Sequence, residues 1–186
     1  MKKYLSGIVL VSFFFTQGAF SRGAQKEAIL EQPLLITSAG QSAEVQLASI
    51  LAKRAGLSYN LSKLATEKDL ENFKTLVLVL GASMKGLGAA GLDTAKEKVR
   101  IKKLIEEAKK REISILCLHL GGESRRGKLT DELIADFLPV ATMVIVVKSG
   151  NKDGIFSTIC KENNIPLEVV EKTSLALEPL KKAFKK

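Results

Sequence analysis

"TLVLVLGASMKGLGAAG", Thr75 to Gly91, joins six residues of which five are Leu or Val to a stretch with four glycines, a serine and a lysine. A solid apolar block with no polar alternation is what a strand covered on both faces requires, as in the middle of a parallel sheet. The chain repeats the pattern in "PLLIT", "ISILCLHL", "TMVIVV" and "PLEVV". "LSYNLS" alternates instead, which suits an edge strand with one wetter side.

Between these blocks lie helical patterns with starts and stops. Ser42 to Ala55 ends at Gly56, a usual C-terminal breaker, with Val45, Ile50 and Leu51 expected inward. A short turn over Glu67 to Phe73 follows. Thr94 and Glu97 have the spacing of a capping box, and Ile101, Leu104, Ile105 and Ala108 repeat at helical period behind them. The outer face of that helix pairs Glu106 with Lys110 and Glu107 with Arg111. Further helices are predicted from Thr130 to just before Pro139, from Asp153 to Asn163, and from Ser174 with Pro179 kinking it or opening its main segment.

Strands alternating with helices imply a three-layer α/β/α sandwich on a mostly parallel sheet of five or six strands. A flavodoxin-like order, 2-1-3-4-5 with a sixth strand at the edge, is preferred over the Rossmann-like 3-2-1-4-5-6.

The N-terminus reads differently. In "MKKYLSGIVLVSFFFTQGAFS", Lys2 and Lys3 precede an apolar run from Ile8 to Phe15, and Ala19-Phe20-Ser21 offers a cleavage site. Residues 1–21 are therefore expected to be a secretory signal peptide, 22–32 a flexible leader, and 33–186 a single α/β domain exported to the periplasm or beyond the cell. The run is far short of the ~20 residues that span a bilayer, so no stable membrane span is expected after cleavage. Loss of Lys2 and Lys3 would lower the formal charge of +9 by two. Much of the remainder sits at Lys181, Lys182, Lys185 and Lys186, where it complements a helix dipole. Few aromatics are available to stack on bases, so nucleic acid is not an expected partner. Cys117 lies in a strand block and Cys160 on the apolar side of a helix, which favours two buried free thiols over a bridge.

Ligands of open parallel sheets bind outside the carboxyl ends of the strands, where the strand order reverses. That places the site in four loops: "SAGQSA", "GASMKGLGAAGLD", "GGESRRGK" and "KSGNKDG". Glycine main chain, serine hydroxyls and clustered cations are the dress of a phosphate or carboxylate site. The candidates are Ser38, Gly40, Gln41 and Ser42 from the first loop, and Ser83, Lys85 and Gly86 from the second. Gly122, Glu123, Arg125 and Arg126 come from the third, and Lys148, Asn151 and Lys152 from the fourth. A small anionic molecule is the expected partner, and no cofactor is predicted.

Sharper templates fit less well. Gly86-Leu-Gly88-Ala-Ala-Gly91 matches G-x-G-x-x-G but begins late after its strand, and the predicted helix cap follows it. The P-loop pattern fails because Lys85 precedes Gly86. The elbow G-x-S-x-G matches Gly81-Ala82-Ser83 and then meets Lys85 where glycine belongs, so a hydrolase using Ser83 stays as an alternative. The chain's one histidine, His119, is read as a core residue before a catalytic one. A module gripping an envelope protein partner is a second alternative. One histidine and two buried cysteines give no metal-ligand spacing.

Taken together, "LLITSAGQSAEV", "LVLGASMKGLGAAGLD", "HLGGESRRG" and "VVKSGNKDG" followed by "NNIPL" resemble a family of exported bacterial proteins catalogued only as a domain of unknown function. The resemblance spans essentially the whole mature chain. It implies one exported α/β domain and assigns no activity or residue role.

Overall fold

The computed structural model of the protein describes residues 29–185. The expected signal peptide, 1–21, lies outside them. Six strands form one sheet: β1 (Leu34–Ala39), β2 (Tyr59–Leu61), β3 (Thr75–Leu80), β4 (Ser114–His119), β5 (Met143–Val147) and β6 (Leu167–Val170). Their order is β2-β1-β3-β4-β5-β6, with every pairing parallel. This is the preferred flavodoxin-like order with its sixth strand at the edge. The order reverses between β1 and β3, which are paired in register from Leu34 opposite Thr75 to Ala39 opposite Leu80.

Six helices cover the sheet: α1 (Glu44–Arg54), α2 (Met84–Ala89), α3 (Thr94–Lys110), α4 (Lys128–Phe137), α5 (Ile155–Glu162) and α6 (Leu177–Ala183). Because successive side chains of a strand point to opposite faces, the solid apolar blocks feed two cores. Leu35, Leu76, Leu78, Leu80, Ile115, Cys117 and Val144 pack with the α3, α4 and α5 residues Ile101, Leu104, Leu133, Ile134 and Phe156. On the other face Leu34, Ile36, Val77, Val79, Leu116, Leu118 and Ile145 meet Val45, Ala48, Ala52 and Leu180 of α1 and α6. The edge strand β2 is only partly covered, as the alternation in "LSYNLS" requires; β6, read as a solid apolar block, is also only partly covered because it forms the other edge, with Val169 46% exposed.

Some local expectations are corrected. Ile50 points outward and is 52% exposed. At 100° per residue Val45, Ala48 and Ala52 line the inner side of α1 and Ile50 falls away from it; the two alanines let the helix approach the sheet. The cap of α3 is Asp93, whose Oδ1 accepts the Lys96 N–H at 2.7 Å. Glu97 is thereby free to turn into the protein. On the outer face of α3, Glu107 pairs with Arg111 as expected, whereas Glu106 lies near Lys102 at 4.0 Å. Pro179 sits in the first turn of α6, where a missing N–H removes no helical bond.

The glycine-rich stretch after β3 was read as a loop, yet residues 84–89 form a short helix, α2, capped by Ser83. The last part of the expected leader is held in the fold. Leu30 is fully buried and donates its N–H to the Ala183 carbonyl at 2.9 Å, and its own carbonyl accepts from Lys185. The rest of the leader, 22–28, lies outside the described residues. Among the described residues no helix is long and apolar enough to cross a membrane.

Candidate ligand site at the carboxyl ends of the strands

The loops after β1 and β3 meet at the switch point, as anticipated, and the main chain closes the gap between them. Gly81 donates its N–H to Ala39 at 3.0 Å and Ser83 to Gly40 at 2.8 Å, while Gln41 and Ala82 form an antiparallel bridge. Gly40 has φ of 111°, and a β-carbon on it would lie 2.5 Å from the Gly81 carbonyl oxygen. A β-carbon on Gly86 would strike the Gln41 carbonyl oxygen. These glycines let two loops touch. The Gly86 N–H is taken by Ser83 Oγ at 3.0 Å, so it is not available to cradle an anion. Ser83 itself is half-buried.

The first loop is anchored from α3. Glu97, 1% exposed, accepts the Gly40 N–H at 2.9 Å and Gln41 Nε2 at 3.1 Å. Arg100 donates to both Glu97 oxygens and to the carbonyls of Ala65 and Ser38. A buried carboxylate is tolerable only when paired and hydrogen-bonded, and this one is. The capping-box pattern hid the pair, because Glu at that spacing has two uses and sequence does not say which.

Most of the predicted cations have partners. Arg126 binds Asp131 at 2.6 Å, Asp153 at 2.7 Å and the Gly150 carbonyl at 2.6 Å. Hydrogen bonds from its guanidinium hold the Asp153 carboxyl down to about 2, well below the usual carboxylate range. Lys152 pairs with Glu123 and Lys148 with Glu171. Asn151 Oδ1 accepts the N–H of Phe156 in the first turn of α5 at 3.0 Å. Gly122, at φ 61°, packs against the Ser149 hydroxyl. The fourth loop is thus bound up with the third. Lys85 is exposed on α2 and has no ion pair among the described residues.

One charged residue at this end was not anticipated. Glu44, at the N-terminus of α1, is 3% exposed. Its Oε2 accepts the Gly121 N–H at 3.0 Å. Arg125 Nε lies 3.3 Å from Oε1, an ion pair by distance, but Oε1 receives no hydrogen bond. Burial pushes the Glu44 carboxyl above its ordinary range; His119, the Gly121 N–H, Arg125 and the Leu120 N–H offset this only in part. Gly81 and Gly121 make room for it. A β-carbon on Gly121 would collide with Glu44 Oε1 and with the Arg125 stem, and one on Gly81 would lie 3.0 Å from Ser42 Oγ. Ser42 Oγ and Ser38 Oγ are buried and, like Glu44 Oε1, have no hydrogen-bond partner. A sequence signal for Glu44 existed in its position on the first turn after the switch-point loop, where a carboxylate meets the helix dipole.

His119 is fully buried, its ring tilted against that of Phe156 with centroids 5.3 Å apart. Its Nδ1 lies 2.8 Å from the Leu80 carbonyl oxygen and its Nε2 3.1 Å from that of Gly122. Both ring nitrogens face main-chain carbonyl oxygens, of which a neutral ring donates to one, and neither is bonded to a serine. Among the described residues no three His, Cys, Asp or Glu side chains cluster to hold a metal. Two open grooves lie elsewhere. One runs between α3 and α4, over Val99, Ile105 and Phe137, and the other lies at the opposite end of the strands near Ile29 and Phe73.

The chain belongs to the family described as domain of unknown function DUF6305, whose model matches residues 31–184. No curated protein matches it. Among solved structures it is similar to a mutant of the esterase AlinE4 at 14% identity, over 82% of each chain, with a TM-score of 0.30. It is also similar to AlinE4 itself, an esterase of the SGNH-hydrolase family, at 14% identity over 77% of each chain and a TM-score of 0.32. A protein of the G-D-S-L family from Desulfitobacterium hafniense DCB-2 matches at 14% identity, over 73% of this chain and 75% of that one, with a TM-score of 0.34. Likeness at this level carries none of those proteins' chemistry to this chain.

Proposed function

We propose that this domain is a binding module for a small ligand carrying a carboxylate or phosphate, held by the loops after β1, β3 and β4. Arg125 supplies the main charge, Lys85 reaches in from α2, and Ser42 offers a hydroxyl. Ser38 lies on β1 opposite Val79, its hydroxyl buried. Arg126, Lys148 and Lys152 belong to the supporting framework, since each already has an acidic partner.

The supporting observation is the corner formed by Ser42, Glu44 and Arg125. Ser42 Oγ is buried with no hydrogen bond and, like Glu44, lies against Gly81, while Arg125 is 41% exposed in its side chain and 3.3 Å from Glu44 Oε1. Arginine in such a place has donors left over for a planar anion. The domain would do this work outside the cytoplasm, a reading that rests on residues 1–21 and is checked by the mass of the mature N-terminus.

Thermal stability of the purified protein in the presence of small carboxylates and inorganic phosphate tests the proposal. Stabilisation should disappear in Lys85→Ala/Arg125→Ala while the fold persists. A wild-type protein that no anion stabilises would remove the proposal.

A further inference from the structure

Three side-chain oxygens, Ser38 Oγ, Ser42 Oγ and Glu44 Oε1, are buried without a hydrogen bond, and all three fall between residues 38 and 44. They share one region. Ser38 sits opposite Val79, in the row that packs under α1, and two residues beyond Val79 is Gly81. A β-carbon on Gly81 would lie 3.0 Å from Ser42 Oγ and 3.1 Å from each Glu44 oxygen. The hydroxyl and the carboxylate therefore converge on the space that Gly81 leaves free. Buried polar atoms are nearly always satisfied, and each one left unpaired costs about 1–3 kcal/mol. The Ser42 hydroxyl and Glu44 Oε1, both beside Gly81, mark a place that takes a donor from outside.

A carboxylate accepts and does not donate, so the donor it lacks cannot be a second anion. A purely anionic ligand on Arg125 would also draw the guanidinium away and leave buried Glu44 with only His119 and main-chain N–H groups to offset its burial, and weakening a buried pair is unfavourable. We infer that the ligand is a zwitterion: its anion meets Arg125, and its ammonium takes the place of Arg125 at Glu44 Oε1 and Ser42 Oγ. This rests on the anion reading above and narrows it to compounds with a primary ammonium and a carboxylate or phosphate on one short skeleton. The Arg125 stem crosses Gly121, and its half-exposed end can turn outward. One loose ion pair is replaced by two, and an ammonium's three N–H groups supply both orphan acceptors at once.

Titration calorimetry of the full chain with four probes decides the matter: β-alanine against propionate, and O-phosphoethanolamine against inorganic phosphate. Each zwitterion should bind at least about tenfold more tightly than its partner lacking the ammonium, the worth of a charge-assisted hydrogen bond. Glu44→Gln should bring that ratio close to one, weakening the zwitterions while the released Arg125 binds propionate and phosphate more tightly. Ser42→Ala should reduce the ratio without altering the charge. Equal binding of zwitterion and simple anion by the wild type would overturn this inference and leave the anion reading standing. Failure of all four probes would overturn the anion reading itself. The wild-type ratio is informative even if a variant does not fold.

Discussion

Glu97 Oε1 accepts the main-chain N–H of Gly40 at 2.9 Å, across 57 residues of sequence. The same carboxylate holds Arg100, so a helix on one face of the sheet fixes the loop that ends β1. Removing one member of a buried pair strands the other. Glu97→Ala should destabilise the protein by about 3–5 kcal/mol in urea denaturation. A change below 1 kcal/mol would mean that the loop is held by other contacts.

Gly86 and Gly88 should respond in opposite ways to alanine. A β-carbon on Gly86 meets the Gln41 carbonyl, whereas one on Gly88 meets nothing within 4 Å. Gly86→Ala is expected to lose about 2–3 kcal/mol by overpacking. Gly88→Ala is expected to gain about 0.5–1 kcal/mol through helix propensity. Thermal unfolding of the two variants, one on each side of the wild type, checks both.

Two carboxyl groups should shape the pH dependence with opposite sign. Asp153 is depressed to about 2 by Arg126, so its contribution is complete above its ordinary value near 4 and is lost as pH falls towards 2. Its side chain is 56% exposed, so the effect is screened and small. Glu44 is raised by burial: the folded state holds its proton more tightly, and stability falls as pH rises through the raised value. Asp153→Asn should flatten the acid limb of a stability profile, and Glu44→Gln should flatten the decline on the other side of pH 4.5. Unchanged profiles would contradict both assignments.

Ser83 is occupied as the cap of α2. A fluorophosphonate probe should therefore leave it unlabelled, and Ser83→Ala should cost about 1 kcal/mol through the lost cap. Labelling at Ser83, read by peptide mass spectrometry, would instead establish the hydrolase alternative.

Cys117 and Cys160 are buried free thiols in the same core. Burial raises both, Cys160 to about 11 and Cys117 further, so neither offers a thiolate at neutral pH. Ellman's reagent should find no reactive thiol in the folded protein and two after denaturation. Rapid reaction of the native protein would show that the α5 layer opens.

The strands were legible because their signal is local and redundant. "TLVLVL" can be buried on both faces only in the middle of a sheet, and the same is true of the blocks at β1, β4 and β5. Helix ends were legible where one residue type has one use, as Gly56 does after α1. The capping-box pattern misled because Glu97 has the right spacing for a cap and a stronger claim from Arg100 and Gly40, far away in the chain. Ile50 misled because two alanines, weak in hydrophobicity, fit the tighter contact with the sheet.

Sequence alone was enough for the layer order and for the loops that meet at the switch point, since both follow from hydrophobic periodicity and the handedness of crossovers. It could not choose among the cations in those loops. Arg126, Lys148 and Lys152 look as available as Arg125 and Lys85 until their acidic neighbours are brought beside them. Nor could it single out Glu44, one of twenty acidic residues in the chain. Only the tertiary structure buries Glu44 against Gly121, leaves Oε1 and the Ser42 hydroxyl unpaired beside Gly81, and so turns a polar loop into a corner with a defined chemical demand. The reason is physical: desolvation and pairing depend on distances between loops, which no local pattern encodes.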